Sequence, residues 1–277
     1  MSAADWTSIE IPQDIRLVVA DMDGTLLDSQ KRLSPDLFPL IRTLRARGIR
    51  FAAASGRQYH NLYATFSEIA DQMLFIAENG AAVYDGTQCL FADKLPASYF
   101  VGPIQTIRSL PGVNVVLCTH DGAFIECDDD PVFVRNAHMY YEKLDVVPDL
   151  IAHLEHQPAF KLAVFEQGKA ETGCWPVLRQ YADKFAVVLS GADWVDLMNP
   201  ETNKGSGLHR MADYLGIPIA DTMAFGDYLN DLELLREAGF ACAMENGHPD
   251  LKRMADCTVP SNDENGVVRA IRAHFNL

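Results

Sequence analysis

The stretch Leu17-Val18-Val19-Ala20-Asp21-Met22-Asp23-Gly24-Thr25 decides the fold of this chain. Four apolar residues end abruptly in two carboxylates that flank one methionine, and a glycine follows. A short apolar run that is cut off by turn residues predicts a buried strand of a parallel sheet. Open α/β sheets bind their ligands at the carboxyl ends of such strands, so we expect Asp21 and Asp23 to lie at a ligand site.

The two aspartates restrict what that site can do. Strand geometry aims Asp21 and Asp23 to one side, with Met22 on the other. Two like charges this close repel each other unless a cation lies between them or one carboxyl keeps its proton. Either remedy has a chemical use, as a hard oxygen site for Mg²⁺ or as a nucleophile beside an acid. Taken alone, the same residues also fit an ordinary strand-to-loop turn.

Length and composition limit the class of protein. The 277 residues are 48% hydrophobic and 22% charged, which is typical of a soluble globular protein with one large or two smaller domains. The net charge of −15 argues against nucleic acid or an anionic membrane as the main partner. Residues 1–13 lack a signal-peptide pattern, and no run approaches the ~18 apolar residues of a membrane helix, so we expect a cytoplasmic protein.

The six cysteines show no spacing typical of a metal site, and we interpret them as core or surface residues.

A second polar cluster follows the next predicted strand. Ser34 and Pro35 predict the N-cap and first position of a helix that ends at Gly48, and residues 49–54 then predict a strand. That strand ends in Ser55-Gly56-Arg57. A hydroxyl and free backbone N–H groups at such a point form an anion cradle, although Ser55 fits a simple N-cap as well.

Two more clusters lie near the end of the chain. Lys204 begins a predicted helix, where the helix dipole disfavours a cation, and a bound anion would explain that placement better than a tolerated surface lysine does. A predicted strand at 221–225 leads into Gly226-Asp227-Tyr228-Leu229-Asn230-Asp231. The spacing of Asp227 and Asp231 predicts that both face the same way on a helical turn. Enrichment of Asp at a helix N-terminus is the simpler alternative.

The middle third of the chain has a different pattern. Pairs of predicted strands alternate with helical stretches, which indicates an α+β module inserted into an α/β chain. No site constellation emerges there. Its histidines and its acidic run are interpreted as solvated surface residues: His120, His138, His153, His156 and residues 128–130.

Together the four clusters predict a phosphate and a Mg²⁺ at the carboxyl edge of one sheet. They resemble motifs I to IV of the haloacid dehalogenase superfamily. The insert and the closing residues 243–249 and 261–267 resemble its Cof-like sugar-phosphatase subfamily, the class with a IIB cap. Glu245 departs from the pattern, since relatives usually carry a small residue there, and this puts the choice of substrate in doubt.

The resemblance covers nearly the whole chain and implies its architecture. We expect an α/β fold whose Rossmann-like, doubly wound parallel sheet comprises residues 1–86 and 192–277. An inserted α+β cap domain would comprise residues 87–191 and close over the site.

The resemblance also implies a role for each motif residue. Asp21 would be the nucleophile that forms an aspartyl phosphate, and Asp23 would act as acid and then as base. Mg²⁺ would be held by the carboxylates of Asp21 and Asp227 and by the main-chain carbonyl of Asp23. Thr25 and Asp231 would support these ligands from behind. The groups expected to bind the phosphoryl oxygens are Ser55, Lys204, Asn230 and the backbone at Met22 and Gly56.

Three functions are compatible with this sequence. The favoured one is a Mg²⁺-dependent phosphatase acting on small phosphorylated metabolites such as sugar phosphates. A phosphomutase or phosphotransferase would use the same aspartyl phosphate but return the phosphoryl group to a hydroxyl. A non-catalytic phosphometabolite-binding protein would be expected to lack one of the chemical residues, yet all are present. We expect a monomer or small homo-oligomer that binds neither nucleic acid nor membranes.

Overall fold

The computed structural model describes residues 4–6, 12 and 14–277. Residues 1–13, on which the expectation about a signal peptide rests, lie mostly outside that range. Among the described residues, no helix has both the length and the apolar character that crossing a bilayer requires.

Strands and helices are numbered in chain order. The strands are β1 (Ala4–Asp5), β2 (Leu17–Asp21), β3 (Arg50–Ala54), β4 (Leu74–Ala77), β5 (Ala82–Asp85), β6 (Gln88–Ala92), β7 (Asn114–Thr119), β8 (Ala123–Ile125), β9 (Leu144–Val146), β10 (Ala159–Phe165), β11 (Ala186–Leu189), β12 (Trp194–Met198), β13 (Thr222–Gly226), β14 (Phe240–Met244) and β15 (Cys257–Val259). The helices are α1 (Leu37–Ala46), α2 (Tyr59–Thr65), α3 (Ala97–Arg108), α4 (Pro131–Tyr140), α5 (Leu150–Leu154), α6 (Cys174–Leu178), α7 (Lys204–Leu215), α8 (Leu232–Glu237), α9 (Pro249–Met254) and α10 (Gly266–Phe275).

The first of two compact units comprises the described residues of Met1–Gly56, Phe66–Phe91 and Asn203–Leu277. Its sheet has the order β1-β15-β14-β13-β2-β3-β4-β5-β6. The first seven strands in this sheet order, β1-β15-β14-β13-β2-β3-β4, all pair in parallel with their neighbours. Strand β5 pairs antiparallel with β4. Because β2 lies between β13 and β3, the chain winds outward from it in both directions. The predicted α/β fold with a Rossmann-like core is confirmed.

The central strand β2 is buried along its whole length. On one face of the sheet, Leu17 and Val19 join a core cluster that includes Leu208 of α7 and Leu234 of α8. A strand that is covered on both faces has no solvent side, which explains why its sequence is a continuous apolar run rather than an alternating one.

The second unit contains Arg57–Thr65 and Ala92–Thr202. Its six strands have the order β11-β12-β10-β7-β8-β9, antiparallel except for the parallel pair of β8 and β9. Residues 57–65 are connected to the rest of this unit through Gln58. Its carboxamide donates a hydrogen bond to the carbonyl of Lys143 and accepts one from the N–H of Lys143, each at 3.0 Å. The boundaries predicted for the inserted domain, residues 87–191, stay a prediction.

Helix α1 begins later than the sequence predicts. Its N-cap is Asp36 and its first residue is Leu37, so the prediction of Ser34 as N-cap is wrong. The hydroxyl of Ser34 instead accepts a hydrogen bond from the N–H of Asp36 at 3.3 Å, and its carbonyl accepts one from Leu37 at 3.1 Å. Ser34 therefore forms a turn ahead of the helix, a local alternative that serine side chains offer.

The turn that follows β4 is packed tightly against the start of α7, and this generates a stability prediction. Gly80 has φ +101°, and a Cβ there would lie 2.1 Å from the carbonyl oxygen of Asn203. Gly48 has φ +79° with nothing within 4 Å of such a Cβ. We expect Gly48→Ala to cost only the left-handed penalty of about 1–2 kcal/mol, and Gly80→Ala to cost clearly more. Equal losses of unfolding free energy in urea titrations would contradict this.

Candidate active site

A fully buried lysine connects three segments of the first unit. The Nζ of Lys204 donates hydrogen bonds to Oδ1 of Asp21 at 2.5 Å and to Oδ1 of Asp231 at 2.6 Å. Lys204 and Asp231 are 0% exposed and Asp21 is 5% exposed. The two carboxylates balance the charge of Lys204, which explains how a lysine occupies the first position of α7 despite the helix dipole.

Burial and mutual charge shift the proton affinities of these groups. Burial alone lowers the pKa of Lys204, but Asp21 and Asp231 outweigh it, so the pKa of the amine lies above its ordinary value. Burial, reinforced by the charge of Asp231, raises the pKa of Asp21 well above its usual range despite the opposing effect of Lys204. Burial and then Asp231 raise the pKa of Asp227 to about 6. One ammonium does not neutralise this set of carboxylates.

Gly24 and Thr25, which follow β2, hold Asp227 in place. The hydroxyl of Thr25 donates to Oδ1 of Asp227 at 3.1 Å. Gly24 has φ +83°, and a Cβ there would lie 2.3 Å from Oδ2 of Asp227. Any larger residue at position 24 would therefore displace the carboxylate.

Asp231 binds the backbone of the loop that contains Asp227. Its Oδ2 accepts the backbone N–H groups of Asp227 at 3.0 Å and of Tyr228 at 3.2 Å. The prediction that Asp227 and Asp231 share a helical face is wrong, because residues 229–231 form a 3-10 turn and α8 begins only at Leu232. The two aspartates meet because Asp231 folds back onto the loop.

Three carboxylates converge at one point. Oxygens of Asp21, Asp227 and Asp231 all lie within 4.8 Å of one another. In the part of the chain that the structure describes, no other group of three or more His, Cys, Asp or Glu side chains has this arrangement, so the histidines and residues 128–130 of the insert form none. Hard oxygen donors that carry excess negative charge fit a divalent cation such as Mg²⁺.

Asp23 has a different environment from Asp21. Strand β2 ends at Asp21, and Met22 already lies in a turn, where its carbonyl accepts the N–H of Leu27 at 2.8 Å. Asp23 therefore lies outside the strand, and strand geometry does not determine the direction of its side chain. Its Oδ1 accepts a hydrogen bond from Nζ of Lys31 at 2.7 Å, a contact that sequence reasoning missed.

Among the other predicted phosphate-binding residues, Ser55 and Gly56 follow β3 and Asn230 follows β13. Asn79, which lies after β4, contacts both segments. The backbone N–H of Asn79 donates to the carbonyl of Ser55 at 2.9 Å, and its Oδ1 accepts from Nδ2 of Asn230 at 3.4 Å. A Cβ at Gly56 would lie 3.0 Å from Nδ2 of Asn79. Sequence reasoning did not assign Asn79. The signal was available, because Glu78-Asn79-Gly80 is another polar cluster directly after a buried parallel strand.

The loop that contains Glu245 reaches the first motif through its neighbour. Nδ2 of Asn246 donates to the carbonyl of Gly24 at 2.8 Å, and Oδ1 of Asn246 accepts the N–H of Asn262 at 3.1 Å. The expected influence of Glu245 on substrate choice stays a prediction.

All six cysteines are free thiols, so none forms a disulfide.

Comparison with known proteins identifies the family. The family described as haloacid dehalogenase-like hydrolase matches residues 18–271. The chain belongs to this family. A 5-amino-6-(5-phospho-D-ribitylamino)uracil phosphatase of Escherichia coli K12 is 32% identical, covering 93% of this chain and 95% of the relative. One of Bacillus subtilis 168 with the same activity in its name is 28% identical, covering 94% and 98%.

A solved structure agrees with this assignment. A protein of Eubacterium rectale superposes with a TM-score of 0.85 and 27% identity, covering 94% of this chain and 98% of that one. The resemblance to Cof-like hydrolases is thereby confirmed, and the chain is a phosphoric monoester hydrolase.

The raised pKa of Asp227 leads us to expect that the stability of the folded protein depends on pH. In the folded state this carboxyl keeps its proton up to about pH 6, whereas its ordinary pKa is 3.8. Between these values the unfolded chain binds fewer protons than the folded one, so this group makes the protein less stable as pH rises. We expect Asp227→Asn, in EDTA, to gain stability relative to wild type between pH 5 and pH 8. Urea unfolding measures this, and a difference that stays constant with pH would contradict it.

Proposed function

We propose that this hydrolase is a Mg²⁺-dependent phosphatase that acts on small phosphorylated metabolites through an aspartyl phosphate on Asp21. The observation that carries the proposal is the buried Lys204 held between Asp21 and Asp231. An ammonium in this position fixes the carboxylate of Asp21 through one oxygen, Oδ1. We assign the attack on phosphorus to the other oxygen.

The proposed reaction has two steps. In the first, Asp21 forms a bond to phosphorus, the bond from phosphorus to the leaving oxygen breaks, and Asp23 donates a proton to that oxygen. In the second, Asp23 takes a proton from water, the water oxygen bonds to phosphorus, and the bond from phosphorus to Asp21 breaks, which yields inorganic phosphate and the free Asp21 carboxylate. Nζ of Lys31 lies 2.7 Å from Oδ1 of Asp23, so Lys31 is placed to orient this carboxyl group.

The metal assignment rests on the donor set. The carboxylates of Asp21 and Asp227 and the main-chain carbonyl of Asp23 would hold Mg²⁺, while Thr25 and Asp231 keep Asp227 in position. When bound, the ion would supply positive charge against the phosphoryl oxygens.

The phosphoryl group itself would be bound by a ring of donors. Their hydrogen bonds would stabilise the charge that moves onto the phosphoryl oxygens during transfer. The donors we assign are Ser55, Lys204, Asn230 and the backbone N–H groups at Met22 and Gly56.

The leaving group is suggested by the relatives. The two curated relatives are named for a phosphorylated ribitylamino-uracil, a polyol phosphate attached to a heterocycle. We propose substrates of this size, including sugar phosphates, with residues 87–191 as the cap domain that selects among them. Cytoplasmic location and a monomeric or small homo-oligomeric state stay predictions from the sequence.

The function is tested by phosphate release from sugar phosphates and 5-amino-6-(5-phospho-D-ribitylamino)uracil, with Mg²⁺ or with EDTA. We expect Mg²⁺-dependent release by wild type and a loss of at least about a thousandfold in Asp21→Asn, which keeps the shape of the nucleophile but removes its charge. Asp183→Asn, an exposed change of the same kind, should retain the wild-type rate. Wild-type rates in Asp21→Asn would exclude the covalent role. Transfer to an added alcohol in place of release to water would indicate a phosphotransferase.

Metal binding is tested separately from activity. Because Mg²⁺ would bind only the folded carboxylate site, it should raise the thermal midpoint of the wild-type protein at pH 8. The rise should be smaller at pH 5, where protons compete for the same carboxylates. We expect Asp227→Asn to lose the rise and Asp183→Asn to keep it. An equal rise in all three proteins would place the ion elsewhere.

A further inference from the structure

The turn after β4 contains three consecutive residues in the left-handed region. The φ angles of Glu78, Asn79 and Gly80 are +50°, +53° and +101°. Residues other than glycine seldom adopt such angles, and two in succession persist only when surrounding structure holds them. Because β2, β3 and β4 run parallel, this turn lies at the same edge of the sheet as Asp21 and Ser55.

Two contacts hold the turn in this conformation. The N–H of Asn79 donates to the carbonyl of Ser55 at 2.9 Å, which ties the turn to the loop after β3. Gly80 packs against the carbonyl of Asn203, the residue that caps α7 directly before Lys204. The strained turn is therefore fixed between two of the segments that form the candidate phosphate site.

The side chain of Asn79 contacts the segments that follow β13 and β3, the two strands that flank β2. Its Oδ1 accepts from Asn230, which follows β13 on one side of β2. Its Nδ2 lies beside Gly56, which follows β3 on the other side. Asparagine suits this place because it tolerates left-handed backbone better than most residues and carries both an acceptor and a donor.

We propose that Asn79 is a positioning residue of the phosphate site. Its carboxamide fixes the amide of Asn230 relative to the backbone of Gly56, so that both can contact one phosphoryl group. This inference rests on the proposed function, in which Asn230 and Gly56 bind the phosphoryl oxygens. It predicts that Asn79 acts on phosphate affinity through Asn230.

The test uses Asn79→Gly, which removes the carboxamide and relieves the backbone strain, so the variant should keep the wild-type thermal midpoint or exceed it. We expect KM and the inhibition constant of inorganic phosphate to rise about fivefold to tenfold, the size expected for one lost hydrogen bond. The value of kcat should change less than KM. Asn276→Gly is the matched control, since Asn276 has φ +52° but is exposed at the end of α10.

A double-mutant cycle separates positioning from a structural role. If Asn79 acts through Asn230, the double variant Asn79→Gly/Asn230→Ala should bind inorganic phosphate no more weakly than Asn230→Ala alone. Independent, multiplying losses would overturn the coupling, and a lowered thermal midpoint with unchanged KM would show a structural role only.

The two proposals fail in different ways. A wild-type protein that releases no phosphate from any substrate would overturn the proposed function. An active wild type whose KM and phosphate inhibition are unaffected by Asn79→Gly would overturn the role of Asn79 alone.

Discussion

The hydrogen bonds of Lys204 to the carboxylates of Asp21 and Asp231 are the constraint on which the rest of the site depends. Without the ammonium, Asp21 and Asp231 would be buried charges with no counter-ion, a costly state in a protein interior. The lysine lies 183 residues from Asp21 and 27 from Asp231 along the chain. Segments from early and late in the sequence must therefore come together before these charges are balanced.

A second buried lysine shows that burial of charge alone does not make such a site. Lys161 on β10 lies 3.8 Å from Asp196 on β12, inside the second unit. Burial raises the pKa of Asp196, while Lys161 opposes that effect. Lys204 instead meets two carboxylates at 2.5 and 2.6 Å, with a third close by. What distinguishes the candidate site is the convergence of several strand ends, because only that convergence concentrates more negative charge than one lysine balances.

The sequence predicted this convergence because each element end is marked locally. The limits of strands β3 and β13 lie within one residue of the predicted 49–54 and 221–225, and α7 begins at the predicted Lys204. What escaped prediction depends on backbone angles and on partners distant in sequence. Lys31 and Asn79 both have positive φ, which no hydrophobic pattern reveals. Lys161 and Asp196 lie within apolar strands, where nothing local indicates that they pair across the sheet.

The charge balance of the site also bears on how an anionic substrate is received. The chain carries a net charge of −15, so its overall field repels a phosphate ester. The buried ammonium of Lys204 is already engaged by two carboxylates, and Asp227 adds a third. With those groups ionised, the site repels phosphate as well. Three ionised carboxylates and one ammonium leave two negative charges, which a divalent cation would cancel. In the proposed function the metal therefore serves substrate binding as well as the chemical step, and the neutral donors around Asn79 contact a phosphoryl group that the site no longer repels.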